Sequence, residues 1–403
     1  MSEVTDLLAE LVAIESSNAS MPSGKGEAAL AAFVADYGQR AGAEVRLEEV
    51  LPGRPNVWLR LPATTPAAPA GAREPVEAAP RRPRRLLLDI HLDTVPLEPM
   101  PAALTPRREG ARLWGRGACD TKSSLAAALV ALRRVADRSS PRQSEVVLLG
   151  TIDEEYLKRG VAHAVARGLV ADAAIIGEPT ALRPVIAHKG AVRWRLVTQG
   201  RAAHTSRPEQ GSNAIYQMVE VIRTLRERLE PLLAARTHPL LTPPTLTVGR
   251  IEGGVGVNIV PERCVIEIDR RTLPGESPAE VLAEIDALLA ELMAAQPGIR
   301  VVREAPFLSE RGLETPPDAP VVGALQRACR EVLGEGAALE PAGVPYGTDA
   351  THLWGGAGIP CVVFGPGDIA QAHSAEEWVE LDQVERAASI YERVIEGFLT
   401  GEW

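Results

Sequence analysis

The feature that most constrains this chain is an apolar run that ends in polar residues. LLLDIHLDTVP begins at Leu86 and is followed, after a loop, by LWGRGACDTK ending at Lys122. Side chains two residues apart leave the same face of an extended strand, so His91 and Asp93 project together from the end of a buried-type strand. Pro96 follows closely. This arrangement suits the carboxyl edge of a parallel sheet, where α/β folds place their ligands. That face is expected to look toward Asp120 and to form half of a metal site.

The pattern recurs along the chain. Val146 to Ile152 runs into Asp153, Glu154 and Glu155, and Ala173 to Ile176 runs into Gly177, Glu178 and Pro179. Any one acid at a strand end could simply cap the next helix. Three such ends at one sheet edge repel each other, and desolvating them is costly unless a cation is present. Amphipathic segments alternate with the strands: an opening helix to about Ile14, another from Gly26 to Ala41, and SSLAAALVALRRVAD, whose Ala and Leu face can lie on the sheet. Near the end, IPCVVFGPG leads through a Gly-rich loop to His373, and a helix from Leu381 to Phe398 follows. The expected fold is α/β, with a mostly parallel central sheet flanked by helices.

From Lys189 the texture changes to β-α-β-β-α-β, the order of a ferredoxin-like unit. Three ranges result: 1–187 as the first part of the main domain, 188–308 as the inserted unit, and 309–403 as its second part. The inserted unit offers sheet edges and helix faces for subunit contact, so a homodimer is expected. Pro62 to Arg85, rich in Ala, Pro and Arg and without hydrophobic period, reads as a mobile surface insertion.

Several partner classes are disfavoured. A formal net charge of −10 argues against nonspecific nucleic-acid binding. The basic RRPRR at Arg81 to Arg85 reads as a solvated loop end. No apolar run approaches the roughly 18 residues of a membrane span. The acidic opening, MSEVTDLLAELVAIES, lacks a signal-peptide pattern, which points to the cytoplasm. Cys119, Cys264, Cys329 and Cys361 include no C-x-x-C pair and fit a reducing compartment. GGVG at Gly253 lacks the strand, Gly loop and helix of a dinucleotide site.

Taken together, HLDTVP, GRGACDTK, DEE, GEPT, AHTSRP and GPGDIAQAHSAEEW, in this order and spacing, resemble the metal-dependent aminoacylase and carboxypeptidase family. The resemblance implies two divalent ions, zinc or cobalt. Asp120 would bridge them, His91 and Glu178 would complete one site, and Glu155 with His373 the other. Three ligand carboxylates and a bridging hydroxide balance two dications. Asp93 is expected to fix the His91 tautomer, and Glu154 to act as general base. The resemblance further implies that His204 stabilises the oxyanion, often from the partner subunit. Asn258 and Arg271 match positions used around the substrate carboxylate, with Arg270 as Arg271's alternative. Tyr346 to His352, including Thr348 and Asp349, should line the pocket, where Asp349 either reads a substrate ammonium or bonds its own loop. The implied substrate is a small N-acyl amino acid, with acetylornithine-type deacylation foremost and desuccinylase or short-peptide carboxypeptidase activity as alternatives. The sequence departs from the family's pattern at Ser123, where Gly is common, and in GTDATHLW.

Overall fold

In the computed structural model, which describes residues 2–64, 82–138, 140–337 and 339–403, the chain forms two compact units. Residues 65–81 of the Ala/Pro/Arg-rich stretch, with Arg81 of RRPRR, lie outside the described residues. The first unit comprises Met1–Ile186, Thr315–Ala342 and Thr348–Trp403; the second comprises Ala187–Glu314 and Gly343–Gly347.

The first unit is built on a large mixed sheet. Its strands run in the order Glu44–Leu51, Arg54–Leu61, Glu145–Thr151, Arg85–His91, Ala173–Ile176, Cys361–Val363 and the start of Val185–His188, whose last two residues belong to the second unit. The middle four are parallel, and the strands flanking them are antiparallel. Every residue of Glu145–Thr151 is buried, as a central strand covered on both faces requires. Register then decides where the acids emerge. His91 pairs with Thr151, and Asp89 pairs with Ile176. Glu154, Glu155 and Glu178 therefore leave their strands at the same carboxyl edge as His91. Lys122–Ala136 is buried along nearly its whole length, packed against Glu3–Ala13 and Leu381–Thr400, and its alanines allow close approach.

A second element of this unit has no sequence-level signal. Arg107–Glu109, Arg112–Trp114 and Trp378–Glu380 form a small antiparallel sheet. Strands of three residues are too short to display a period. Trp378 pairs with Trp114, and the two rings lie 5.9 Å apart.

The second unit is an antiparallel sheet in the order Thr245–Gly253, Arg263–Thr272, Gly190–Gln199, Val301–Arg303, which is the ferredoxin-like arrangement. Arg263–Thr272 alternates strictly between buried and less buried positions. Its inward residues Ile266 and Ile268 pack with Trp194, Met218, Ile285 and Leu289 from the neighbouring strand and the two helices. Ser277 and Glu280 form a capping box that starts Pro278–Ala295. The unit extends to Glu314 rather than ending near 308, because Leu308–Glu310 pairs with the start of Gly190–Gln199. The helix expected through SNAIYQMVEVIRTLRERL is regular only over Ala214–Thr224; Leu225–Leu229 widens into a π turn just before Pro231, which lacks the N–H a regular turn needs.

Candidate metal centre

At the carboxyl edge of the first unit's sheet, Asp120 sits between two imidazoles. Its Oδ1 lies 3.0 Å from His91 Nε2, and its Oδ2 lies 3.3 Å from His373 Nε2. Glu155 Oε2 is 2.9 Å from His373 Nε2, and Glu178 Oε1 is 3.8 Å from His91 Nε2. Ligand-type atoms of His91, Asp120 and Glu155 lie within 4.8 Å of one another, as do those of His91, Glu154 and Glu178. The structure thus brings together His91, Asp120, Glu154, Glu155, Glu178 and His373. Asp120 presents one oxygen to each imidazole.

Asp93 is placed beside His91, but its carboxylate has different partners from those expected. The His91 Nδ1 partner is the Asp93 backbone carbonyl, at 2.9 Å, while the nearer carboxylate oxygen is 3.7 Å away. The carboxylate accepts the backbone N–H groups of Glu154 and Glu155, each at 3.0 Å, and Asn18 Nδ2 at 2.7 Å. One residue therefore sets the His91 tautomer through its carbonyl and the Glu154–Glu155 turn through its side chain. Asp153, just before that turn, has a φ of +68°. This strained conformation is held by Arg159 Nε at 2.6 Å, Ser20 Oγ at 2.8 Å and Arg54 Nη2 at 3.3 Å. Arg54 is itself clamped by the buried Glu27. Asn18, Ser20, Glu27 and Arg54 come from segments without motif character, so sequence reasoning missed them.

The electrostatics fit a divalent cation. Burial pushes the Glu155 carboxyl up to about 7, with the Asp120 charge adding to the effect. Glu178 is pushed well above the carboxylate range for the same two reasons. Hydrogen bonds to Asp120 and then Glu155 raise His373 to about 11. Burial opposes charge on His91, yet Asp120, Glu178 and Asp93 outweigh it and lift its pKa. In the metal-free chain, protons thus occupy the positions a cation would neutralise.

A pH dependence follows from the signs. His373 rises from an ordinary 6.5, so its contribution is fully present below about 6.5 and is lost as pH climbs toward about 11. Glu155 rises from 4.5, so the stability of its protonated form is present below 4.5 and is lost as pH passes about 7. Both weaken the metal-free chain with rising pH, while a metal no longer competes with protons. The increase in melting temperature caused by zinc is therefore expected to be larger at pH 8 than at pH 5.5. Calorimetry with and without zinc checks this, and an increase that shrinks with pH would refute it.

The residues expected to face the substrate fall into separate groups. Thr348 and Asp349 are buried at the start of Ala350–Ala357. Asp349 Oδ2 accepts Thr151 Oγ1 at 2.8 Å, so the carboxyl is tied to the sheet rather than to its own loop. In the second unit, His204 is exposed and bridges to Ile259, and Thr205 N–H donates to the Asn258 carbonyl at 3.2 Å. His204 Nδ1 accepts Ser206 N–H at 3.1 Å, which leaves the neutral ring's proton on Nε2. Arg271 is elsewhere. It pairs with Ala191 at the start of Gly190–Gln199, whereas His204 lies beyond the far end of that strand. Eight residues at about 3.4 Å each separate the two strand ends by roughly 27 Å, so the unit does not unite Arg271 with His204 and Asn258. Arg270 is buried and bound to Glu276 at 2.8 Å; the half-buried Arg271 pairs with Asp269. All four cysteines are unpaired and buried, and Cys119 Sγ donates to the Asp368 carbonyl rather than joining the cluster.

Comparison with known proteins supports this picture. The family model "Peptidase family M20/M25/M40" matches residues 87–397. An acetylornithine deacetylase of Myxococcus xanthus is 33% identical over 319 residues, covering 77% of this chain and 79% of that protein. One from Proteus mirabilis is 34% identical over 328 residues, covering 79% and 80%. An M20 family metallo-carboxypeptidase of Sulfolobus solfataricus shares the fold with a TM-score of 0.75 at 21% identity, covering 99% of this chain and 100% of that one. A tripeptidase from Staphylococcus aureus gives a TM-score of 0.77 at 20% identity, covering 99% and 98%. No helix among the described residues is long and apolar enough to cross a membrane. The chain belongs to peptidase family M20/M25/M40 and is a metallohydrolase acting on amide bonds.

Proposed function

We propose that the chain is a two-metal amidohydrolase that deacylates N-acyl amino acids, with an acetylornithine-type substrate. The observation that carries this reading is the Asp120 carboxylate, which turns one oxygen to His91 and the other to His373. The similarity to acetylornithine deacetylases supports the substrate class. His91 and Glu178 would hold one zinc or cobalt ion, Glu155 and His373 the other, and Asp120 would serve both. When bound, the ions supply Lewis-acid polarisation and a nucleophile at neutral pH.

The chain's own residues do the rest. Glu154 is buried, and its backbone is fixed by Asp93. Its carboxylate takes a proton from the attacking water and returns it to the leaving amine. Lys158 Nζ lies 3.3 Å from Glu154 Oε1 and orients it. His204, with its proton on Nε2, donates to the developing oxyanion. Arg271 and Asn258 would meet the substrate carboxylate, and Thr348 and Asp349 would shape the floor of the pocket. In a homodimer, His204 would make its donation to the partner subunit's substrate. A cytoplasmic location suits such an enzyme and its four unpaired cysteines.

The test is hydrolysis of N-acetylornithine, N-succinyl-diaminopimelate, N-acetylmethionine and a glutamyl-terminated dipeptide after metal loading. Acetylornithine is expected to be cleaved fastest, with activity removed by a chelator and restored by zinc or cobalt. Cleavage of the dipeptide alone would move the assignment to a peptidase. Full activity in a monomer would refute the role of His204 across subunits.

A further inference from the structure

Three segments that carry proposed metal ligands converge on one buried ion pair. Glu377 and Arg116 are each 1% exposed and meet at 2.7 Å between Oε2 and Nη1. Glu377 Oε2 also accepts the Gly117 N–H at 3.0 Å, while Oε1 accepts the N–H groups of Cys119 and Asp120, both at 3.0 Å. A carboxylate has about four acceptor sites, and all are engaged. Arg116 extends the link. Its Nε donates to the Pro96 carbonyl at 3.1 Å, just beyond His91 and Asp93, and its Nη1 to the Ser374 carbonyl at 3.2 Å, next to His373. The Gly115 N–H donates to the Glu377 carbonyl at 3.1 Å, and Trp378 pairs with Trp114.

A buried ion pair is poor evidence of added stability, since apolar residues of similar size often do as well. What distinguishes this pair is where its bonds end: on the amide of Asp120 and on backbone beside His91 and His373. We propose that Glu377, through Arg116, is a positioning residue that holds the Asp120, His91 and His373 segments at the spacing two cations require. The hydrogen bonds of its carboxylate end on Arg116 and on three backbone N–H groups, not on the proposed ligand atoms. This inference rests on the two-metal reading above.

The experiment is calorimetric titration of the chelator-stripped full chain with Zn²⁺, for the parent, Glu377→Gln, and the double variant Arg116→Met/Glu377→Gln, together with melting temperature, kcat and KM. The parent is expected to take up two ions. Both variants are expected to bind zinc about 10- to 100-fold more weakly, the usual effect of removing a group that orients metal ligands. Their kcat should fall with KM within about threefold of the parent. The double variant guards against misfolding, because it removes the guanidinium that Glu377→Gln leaves buried without its counter-charge. If it regains the parent's melting temperature while zinc affinity stays low, positioning is supported. If it regains both, or if Glu377→Gln folds with unaltered zinc affinity, the pair is merely structural and the inference is wrong. A parent that takes up no zinc would instead overturn the two-metal reading itself, along with this extension of it.

Discussion

Glu154→Gln is expected to lower kcat about 10²- to 10⁴-fold, the range for losing a positioned general base, while zinc uptake and KM stay near those of the parent. The substitution keeps the shape of the side chain and removes its ability to accept a proton. The backbone position survives, because the bond that fixes it runs from the Glu154 N–H to Asp93 Oδ1 and does not involve the altered carboxylate. Glu155, the neighbour proposed as ligand, keeps its own bond to Asp93 Oδ2 and its contact with His373. Lys158 loses an ionised partner but gains an amide oxygen in the same place. A separation of turnover from metal content is therefore the diagnostic result. Near-parental kcat in a variant that retains its ions would show that another group moves the proton.

Asp120→Ala should act on the opposite quantity. Asp120 alone among the clustered acids touches both imidazoles, so its removal takes a donor from each proposed ion and the charge that screens one dication from the other. Retention of at most one zinc per chain is expected. Activity should fall by about 10³-fold or more, since Lewis-acid stabilisation worth several kcal/mol is lost. The Cys119 and Asp120 amides still reach Glu377, so the loop itself should remain folded. Metal content after gel filtration, measured alongside turnover, checks both parts. Two ions per chain with activity within tenfold of the parent would exclude Asp120 as the shared ligand.

These two residues also mark how much of the site is legible in the sequence. Glu154 and Glu178 are reachable because each follows an apolar run, and His91 because it ends one, whereas Asp120, in the turn GRGACDTK, and His373, beyond a Gly-rich loop, are reached through the motif order. Apolar periodicity is a local property, encoded by residues within one strand or helix. The mixed α/β sheet and the β-α-β-β-α-β order of the second unit follow from the same kind of signal. The motif order adds the rest, since six short patterns in one sequence rarely coincide by chance.

Other assignments depend on long-range closure. Asp93 is recognisable as a companion of His91, yet its carboxylate bonds to residues 154, 155 and 18, which only the parallel register brings alongside. Arg270 and Arg271 are indistinguishable in a strand read alone; burial against Glu276 separates them. Asn258 and Arg271, expected around one carboxylate, lie toward opposite ends of the small sheet.

The sequence alone determined which segments become buried strands, where their polar ends lie, and which acids and histidines stand at those ends, because alternation and helical period are written within single elements. Tertiary structure alone decided which oxygen faces which nitrogen, and that Glu377 and Arg116 join the three segments that carry proposed ligands. Those partners lie up to 261 residues apart, and hydrogen-bond geometry between such distant groups is set by packing of the whole unit rather than by any local pattern.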